Sequence, residues 1–301
     1  MQTVFRLAAR WPLGLLHRFG TLLGWLAFWG SPTYRRRLRA NVAQAGLTWA
    51  SACGAVASAG RMVAELPWLW CRPHDQPLGD WVRWEGAEQV EAALAEGRGL
   101  LMLTPHLGCF EVIAQAYAER WGAASPITVM FRPSRQPALR ELVAQSRNRP
   151  GLLTAPANLT GVRQMIRALR KGGTVGLLPD QVPPQGMGVW APFFGREAYT
   201  MTLASRLVQQ TGAAWLLFAA ERLPGGRGYV IRVSTPAEAM PGSVADPCTG
   251  VDADEVTRRA AAVVNRAMEG LIRARPDQYL WGYHRYKQPR SAENAPAGAE
   301  G

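Results

Sequence analysis

The chain has no C-x-x-C pair. Its four cysteines, Cys53, Cys71, Cys109 and Cys248, lie far apart, which argues against a zinc site or a disulfide framework and suits a reducing compartment. Histidine is equally scarce, with four in 301 residues. There is no H-E-x-x-H, no G-x-S-x-G elbow, no P-loop and no dinucleotide fingerprint after a strand, so neither a metal nor a cofactor is expected. Acidic residues are short too: 22 against 34 Lys and Arg give a net charge of +12, with a pI near 10.4. Such a field favours anionic partners, whether nucleic acid, an anionic membrane face, a phosphorylated substrate or an acidic carrier protein. Charge alone cannot choose among them, but no zinc, helix-turn-helix or RNA-binding motif supports nucleic acid.

Residues 1–30 contain no acid at all, and they are rich in Leu, Phe and Trp with Arg6, Arg10, His17 and Arg18 interspersed. A spanning helix wants about 20 mostly apolar residues, and the uninterrupted run here covers only Phe19 to Trp29. Tryptophans and basic residues among leucines suit a helix lying in the headgroup layer. No small-x-small cleavage site closely follows, which disfavours a secretory signal. Tyr34-Arg35-Arg36-Arg37-Leu38-Arg39 comes next and would face anionic lipids on the cytoplasmic side. An ordinary amphipathic helix packed on the domain is the alternative.

Helical patterning continues over 35–47 and 51–70. From Trp81 onward short apolar runs (82–84, 100–103, 127–131, 151–154, 174–178, 214–220, 229–233) alternate with helical periods (87–95, 109–120, 136–147, 159–171, 198–210, 254–273). This alternation predicts an α/β fold, a largely parallel sheet flanked by helices, following the N-terminal membrane-associating segment. The expected organisation is a membrane segment at 1–30, N-terminal helices at 31–80, an α/β domain at 81–287 and a polar, disordered tail at 288–301. Sites in such folds lie at the carboxyl ends of strands.

His106 falls at such an end, in Leu101-Met102-Leu103-Thr104-Pro105-His106-Leu107-Gly108-Cys109-Phe110-Glu111. Pro105 breaks the strand, Gly108 permits a tight turn, and Glu111 falls in the first turn of the next helix. Folded back, that carboxylate would fix one imidazole tautomer and leave the other nitrogen free to take a proton, while backbone N–H groups at the helix start meet a developing oxyanion. The spacing alone is weak, and a structural histidine beside a sheet is its bland counterpart. A second strand ends at Pro179-Asp180-Gln181, followed by a Pro/Gly-rich loop through Trp190, Phe193 and Phe194. That loop reads as a lid or acyl-chain wall, or else as aromatics plugging the core. Phe131-Arg132-Pro133 ends a third strand and makes Arg132 a candidate phosphate or oxyanion partner. Nothing near Cys109 would activate a thiolate.

Together these blocks resemble the lipid A biosynthesis late acyltransferases of the lauroyl/myristoyl type, within the wider H-x4-D/E acyltransferase superfamily. The resemblance covers most of residues 1–287 and includes Ala191-Pro192-Phe193-Phe194-Gly195, Gln278-Tyr279-Leu280-Trp281 and Arg285-Tyr286-Lys287. It departs where many members carry Asn at the position of Cys109, and where W-x-H-[RK]-R-F-K has Tyr283 and Tyr286 at its third and sixth positions. It implies acyl transfer from acyl carrier protein to a hydroxyl of a phosphorylated glycolipid at the cytoplasmic face of the bacterial inner membrane. It further implies His106 as base with Glu111 as its partner, with Arg132, Asp180 and Gln181 in substrate-binding blocks. A lysophospholipid or other glycolipid acyltransferase shares the same chemistry; a membrane scaffold without catalysis and a nucleic-acid-binding module are the readings from other classes.

Overall fold

The computed structural model describes residues 2–131, 146, 147, 149–243 and 246–290. The expected helix at 136–147 and the tail beyond Arg290 lie almost wholly outside them, as does Arg132. The chain begins with helices α1 (Gln2–Ala8), α2 (Leu13–Gly30), α3 (Pro32–Gln44), α4 (Trp49–Ala52), α5 (Gly54–Ala64) and α6 (Leu66–Trp70). Pro12, with no N–H to donate, sits at the break between α1 and α2. The single helix expected over 51–70 is divided into short pieces, the last starting at Leu66-Pro67, because proline tolerates only a first turn.

Next come β1 (Val82–Glu85), α7 (Ala87–Ala95), β2 (Leu100–Leu103), α8 (Phe110–Trp121), β3 (Ile127–Phe131), β4 (Leu152–Pro156), α9 (Leu159–Arg170) and β5 (Thr174–Leu177). A hairpin, β6 (Gly188–Phe193) and β7 (Arg196–Met201), precedes α10 (Leu203–Thr211), β8 (Ala214–Arg222), β9 (Tyr229–Ser234) and α11 (Ala253–Ala274). Seven strands form one sheet in the order β1-β9-β8-β2-β5-β3-β4. All its pairs are parallel except β8 with β9. The α/β class with a mostly parallel, helix-flanked sheet therefore stands. The sheet separates two apolar cores: α3, α5, α9, α10 and α11 contribute to one, α7 and α8 to the other. Central β2 is Leu-Leu-Met-Leu and fully buried, as a parallel strand covered on both faces must be.

The hairpin corrects the expected helix over 198–210. Residues 196–201 pair with β6 in an antiparallel register, Phe193 opposite Arg196, leaving Phe194-Gly195 as a two-residue turn. Both turn residues have positive φ, +48° and +74°, the geometry a tight hairpin requires. Phe194 tolerates it because its ring is buried and its N–H donates to Glu269 Oε1 at 2.7 Å. Phe193 is buried as well, so these two aromatics plug the core, whereas Trp190 and Met187 remain exposed.

Helix α2 packs on α5 at backbone contact. A methyl group on Gly60 would overlap the carbonyl oxygen of Gly20, and one on Gly24 that of Val56. The opposite face of α2 carries Leu15, Phe19, Leu22, Leu23, Leu26 and Trp29, all exposed, Trp29 at 64%. Among the described residues, no helix is long and apolar enough to cross a membrane.

Candidate active site

Strands β2 and β5 are direct neighbours with Leu103 opposite Leu177, so the turns that follow them emerge side by side. The first carries His106 and the second Asp180, which is 1% exposed. Nδ1 of His106 lies 2.7 Å from Asp180 Oδ1, and the His106 backbone N–H donates to Oδ2 at 3.0 Å. Burial pushes the Asp180 carboxyl up, but the facing His106, the two hydrogen bonds from it and nearby Arg285 outweigh burial and hold it below the ordinary carboxylate range. An ionised carboxylate can only accept, so Nδ1 carries a proton, which leaves Nε2 as the nitrogen that can offer a lone pair. The His106 side chain is 18% exposed, and Nε2 has no hydrogen-bond partner among the described residues. The Phe110 ring packs edge-on against the imidazole at 4.8 Å between centroids.

The His106 turn is clamped from two sides. On one, the His106 carbonyl accepts from Leu280 N–H at 3.0 Å, and Gly108 N–H donates to the Gln278 carbonyl at 3.0 Å. On the other, Cys109 N–H donates to Ala220 O at 2.9 Å, and Arg222 Nη2 donates to Gly108 O at 2.6 Å. Gly108 has φ +55°, and any Cβ there would overlap the Ala220 carbonyl, so only glycine fits. Beneath the turn, Arg222 is held by buried Glu65 through three contacts of 2.6–3.0 Å. Glu65 also bonds His17 at 3.0 Å and Tyr229 at 3.1 Å.

A sequence profile described as bacterial lipid A biosynthesis acyltransferase matches residues 3–288 of this chain. The chain is 28% identical over 229 residues to the lipid A biosynthesis lauroyltransferase of Escherichia coli (strain K12), covering 76% of this chain and 68% of that one. It is 28% identical over 231 residues to the palmitoleoyltransferase of the same strain, covering 76% and 69%. A lipid A biosynthesis acyltransferase of Haemophilus influenzae is 23% identical over 198 residues, covering 65% and 56%. The chain belongs to the bacterial lipid A biosynthesis acyltransferase family.

Within this family member, the carboxylate on the His106 ring is Asp180, where Glu111 was the expected partner. Glu111 does start α8, but its oxygens accept from Arg147 Nη2, both at 3.0 Å, and from Trp70 Nε1 at 3.4 Å. An arginine claims its charge, and no hydrogen bond or ion pair joins Glu111 to His106 among the described residues. Gln181, next to Asp180, is half-buried. The N–H groups of the turn itself are already engaged. Leu107, Gly108 and Cys109 spend theirs on the carbonyls of Pro105, Gln278 and Ala220. Only the amides of Phe110 and Glu111, at the helix start, remain without such a backbone bond among the described residues. Burial, then neighbouring Glu65, push the Cys109 thiol well up, which keeps it protonated and inert as a nucleophile.

Three further residues support this site without having been assigned a role from the sequence. Tyr279 is buried, and burial together with the adjoining Asp180 charge raises its hydroxyl pKa. Arg285 is buried with its guanidinium on Tyr199 O, Thr200 Oγ1 and Asn265 Oδ1. Arg222 fixes Gly108. The terminal blocks around Gln278 and Arg285 were visible signals; Arg222, at the end of an apolar strand, offered none.

Proposed function

We propose that this protein transfers a fatty acyl chain from an acyl carrier protein thioester to a hydroxyl of a phosphorylated glycolipid of lipid A biosynthesis, with His106 as general base. The observation that carries the proposal is the geometry of His106. Its Nδ1 is fixed on a buried, ionised Asp180 and its Nε2 is open at the carboxyl ends of β2 and β5. In the reaction, Nε2 takes the acceptor's hydroxyl proton as the oxygen bonds to the thioester carbon. The tetrahedral oxyanion then collapses, breaking the C–S bond, and the proton passes from the imidazolium to the leaving thiolate. General-base catalysis supplies roughly 10²–10⁴-fold; positioning and oxyanion stabilisation, for which the Phe110 and Glu111 amides are candidates, supply the rest. Arg132, Gln181 and Glu111 belong to this proposal as substrate-binding or charge-placing residues, and Asp180 moves into it as the residue that orients the base. The reading assigns no step to a metal or cofactor.

The donor is tested by measuring rate against acyl carrier protein and acyl-CoA thioesters at low and high salt with a fixed glycolipid acceptor. A carrier docking on a +12 protein loses apparent affinity steeply with salt, because exposed charge pairs are screened beyond about 8–10 Å. Preference for acyl-CoA at every salt concentration would reject the carrier and favour a lysophospholipid acceptor, leaving His106 and Asp180 in place.

The exposed face of α2 supports docking at the cytoplasmic face of the inner membrane. Leucines and Trp29 there would enter the acyl boundary while Arg18 and Arg35 to Arg37 meet headgroups. Deleting α2 would strip α5 of its packing partner, so the test is Leu22→Gln/Leu26→Gln, which spares the glycine face. Each leucine contributes about 1.5–3 kcal/mol when buried, so flotation with anionic vesicles should fall at least ~10²-fold with the melting temperature unchanged. Undiminished flotation would show that this face does not enter the bilayer.

A further inference from the structure

Between α3, β7 and the C-terminal segment lies a groove of about 320 Å³ whose lining includes neither His106 nor Asp180. Arg36 and Arg37 come from α3, Arg196 from β7, and His284 from the C-terminal segment, with Thr33 and Asn41 completing the polar lining. The groove has built walls. Asn41 Nδ2 donates to the carbonyls of Trp281 and Tyr283, at 2.7 and 2.8 Å, tying α3 to the segment that carries His284. The Arg196 guanidinium sits 4.7 Å from the centroid of the Tyr286 ring, and the Tyr286 hydroxyl is anchored on Phe193 O at 2.9 Å.

The lining contains no acid. Among the described residues, Arg36, Arg37, Arg196 and His284 make no ion pair, whereas Arg83, Arg98, Arg120, Arg232 and Arg266 all take glutamates on the surface. Three arginines gathered round one concavity repel each other, and an anion entering it relieves that repulsion. Guanidinium forks match phosphate oxygens in particular. The groove also exceeds the roughly 30 Å³ that one liquid water occupies by enough to admit a phosphate ester.

We propose that this groove is a binding site for a phosphate ester, with Arg36, Arg37 and Arg196 as the charge-bearing contacts and His284 as a proton-coupled one. Thr33 lies four residues beyond the exposed Trp29, so the groove adjoins the end of the apolar α2 face, and the phosphate of a lipid headgroup is its natural occupant. That last assignment alone rests on the membrane reading of α2. The charges facing His284 are Arg37 from α3, Arg196 from β7 and Lys287 on its own segment, with no carboxylate among them. Burial first, then these cations, lower its pKa. It is therefore neutral near pH 7 in the empty groove and takes up a proton when a phosphate neutralises its surroundings.

Calorimetric titration of the full chain with glycerol 3-phosphate, and separately with short-chain phosphatidylglycerol, tests this. Glycerol 3-phosphate involves neither membrane nor acyl transfer, so its binding stands or falls independently of the proposed function. Arg36→Gln/Arg37→Gln should weaken binding at least ~10-fold, while Arg258→Gln/Arg259→Gln, an equal change in charge on α11, should weaken it less than ~3-fold. Titration in two buffers of different ionisation enthalpy should show proton uptake at pH 7 that His284→Gln abolishes. Tighter binding of the lipid probe would assign the site to a headgroup, and equal binding to the phosphate itself. Equal weakening by both arginine pairs, no binding of either probe, or no proton uptake would overturn the proposal.

Discussion

Asp180→Asn lowers turnover roughly 10²–10⁴-fold in a protein that remains folded. The carboxylate accepts both the His106 backbone N–H and Nδ1–H, and an amide has only one accepting oxygen. If that oxygen keeps the backbone bond, the amide nitrogen faces the ring and must donate. Nδ1 then becomes the acceptor, the proton moves to Nε2, and the ring can no longer act as a base from its open side. The charge that would stabilise an imidazolium is lost as well. His106→Ala should fall at least as far, since it removes the base itself. Glu111→Gln should fall less, because Glu111 bonds Arg147 and Trp70 and touches the ring only through the placement of α8. The measurement is single-turnover acyl transfer by each variant, with melting temperature as the control for folding. Near-normal turnover by a folded Asp180→Asn protein would remove Asp180 from the mechanism, and a larger loss in Glu111→Gln than in Asp180→Asn would restore the sequence-based pairing.

Why the sequence pointed to Glu111 is instructive. An acid five residues after a histidine is visible locally, whereas Asp180 lies 74 residues away and reaches the ring only because β2 and β5 are adjacent in the sheet. Both strand ends were legible, each an apolar run stopped by a proline, and so were the α/β class and the parallel sheet. The strand order β8-β2-β5-β3 was not, since crossover connections leave neighbour choice to packing on both faces. The β6–β7 hairpin was hidden for a different reason. Its turn is Phe194-Gly195 in place of the Asn-Gly that tight hairpins favour, and its left-handed phenylalanine is maintained by Glu269 on α11. The α2 face was legible as apolar and basic, but the glycines that decide which side is buried gain meaning only when α5 lies against them.

Glu65 is the first acidic residue in the chain, and replacing it should produce the largest loss of stability. Glu65→Ala leaves Arg222 buried without its counter-charge, which typically costs about 3–5 kcal/mol; it also strands His17, Tyr229 and, through Arg222, the carbonyl of Gly108. Burial pushes the Glu65 carboxyl up, but Arg222 and His17 outweigh it and bring the pKa down to about 2 from 4.5. A depressed carboxyl pKa gives stability that is complete above the unfolded value and disappears as pH falls through the folded one. The window is therefore pH 4.5 to 2, and the shift corresponds to roughly 3 kcal/mol, within the same interaction. Urea unfolding at pH 7 should show the Glu65→Ala loss directly, and the gap between wild type and variant should close as the pH is lowered through that window. The double replacement Glu65→Met/Arg222→Met, which buries no charge, should recover much of the stability yet not the activity, because nothing then holds the Gly108 carbonyl beneath His106. A Glu65→Ala protein within 1 kcal/mol of wild type at pH 7 would show that the pair is dispensable to the fold, and a double variant with full activity would show that the His106 turn needs no support from Arg222.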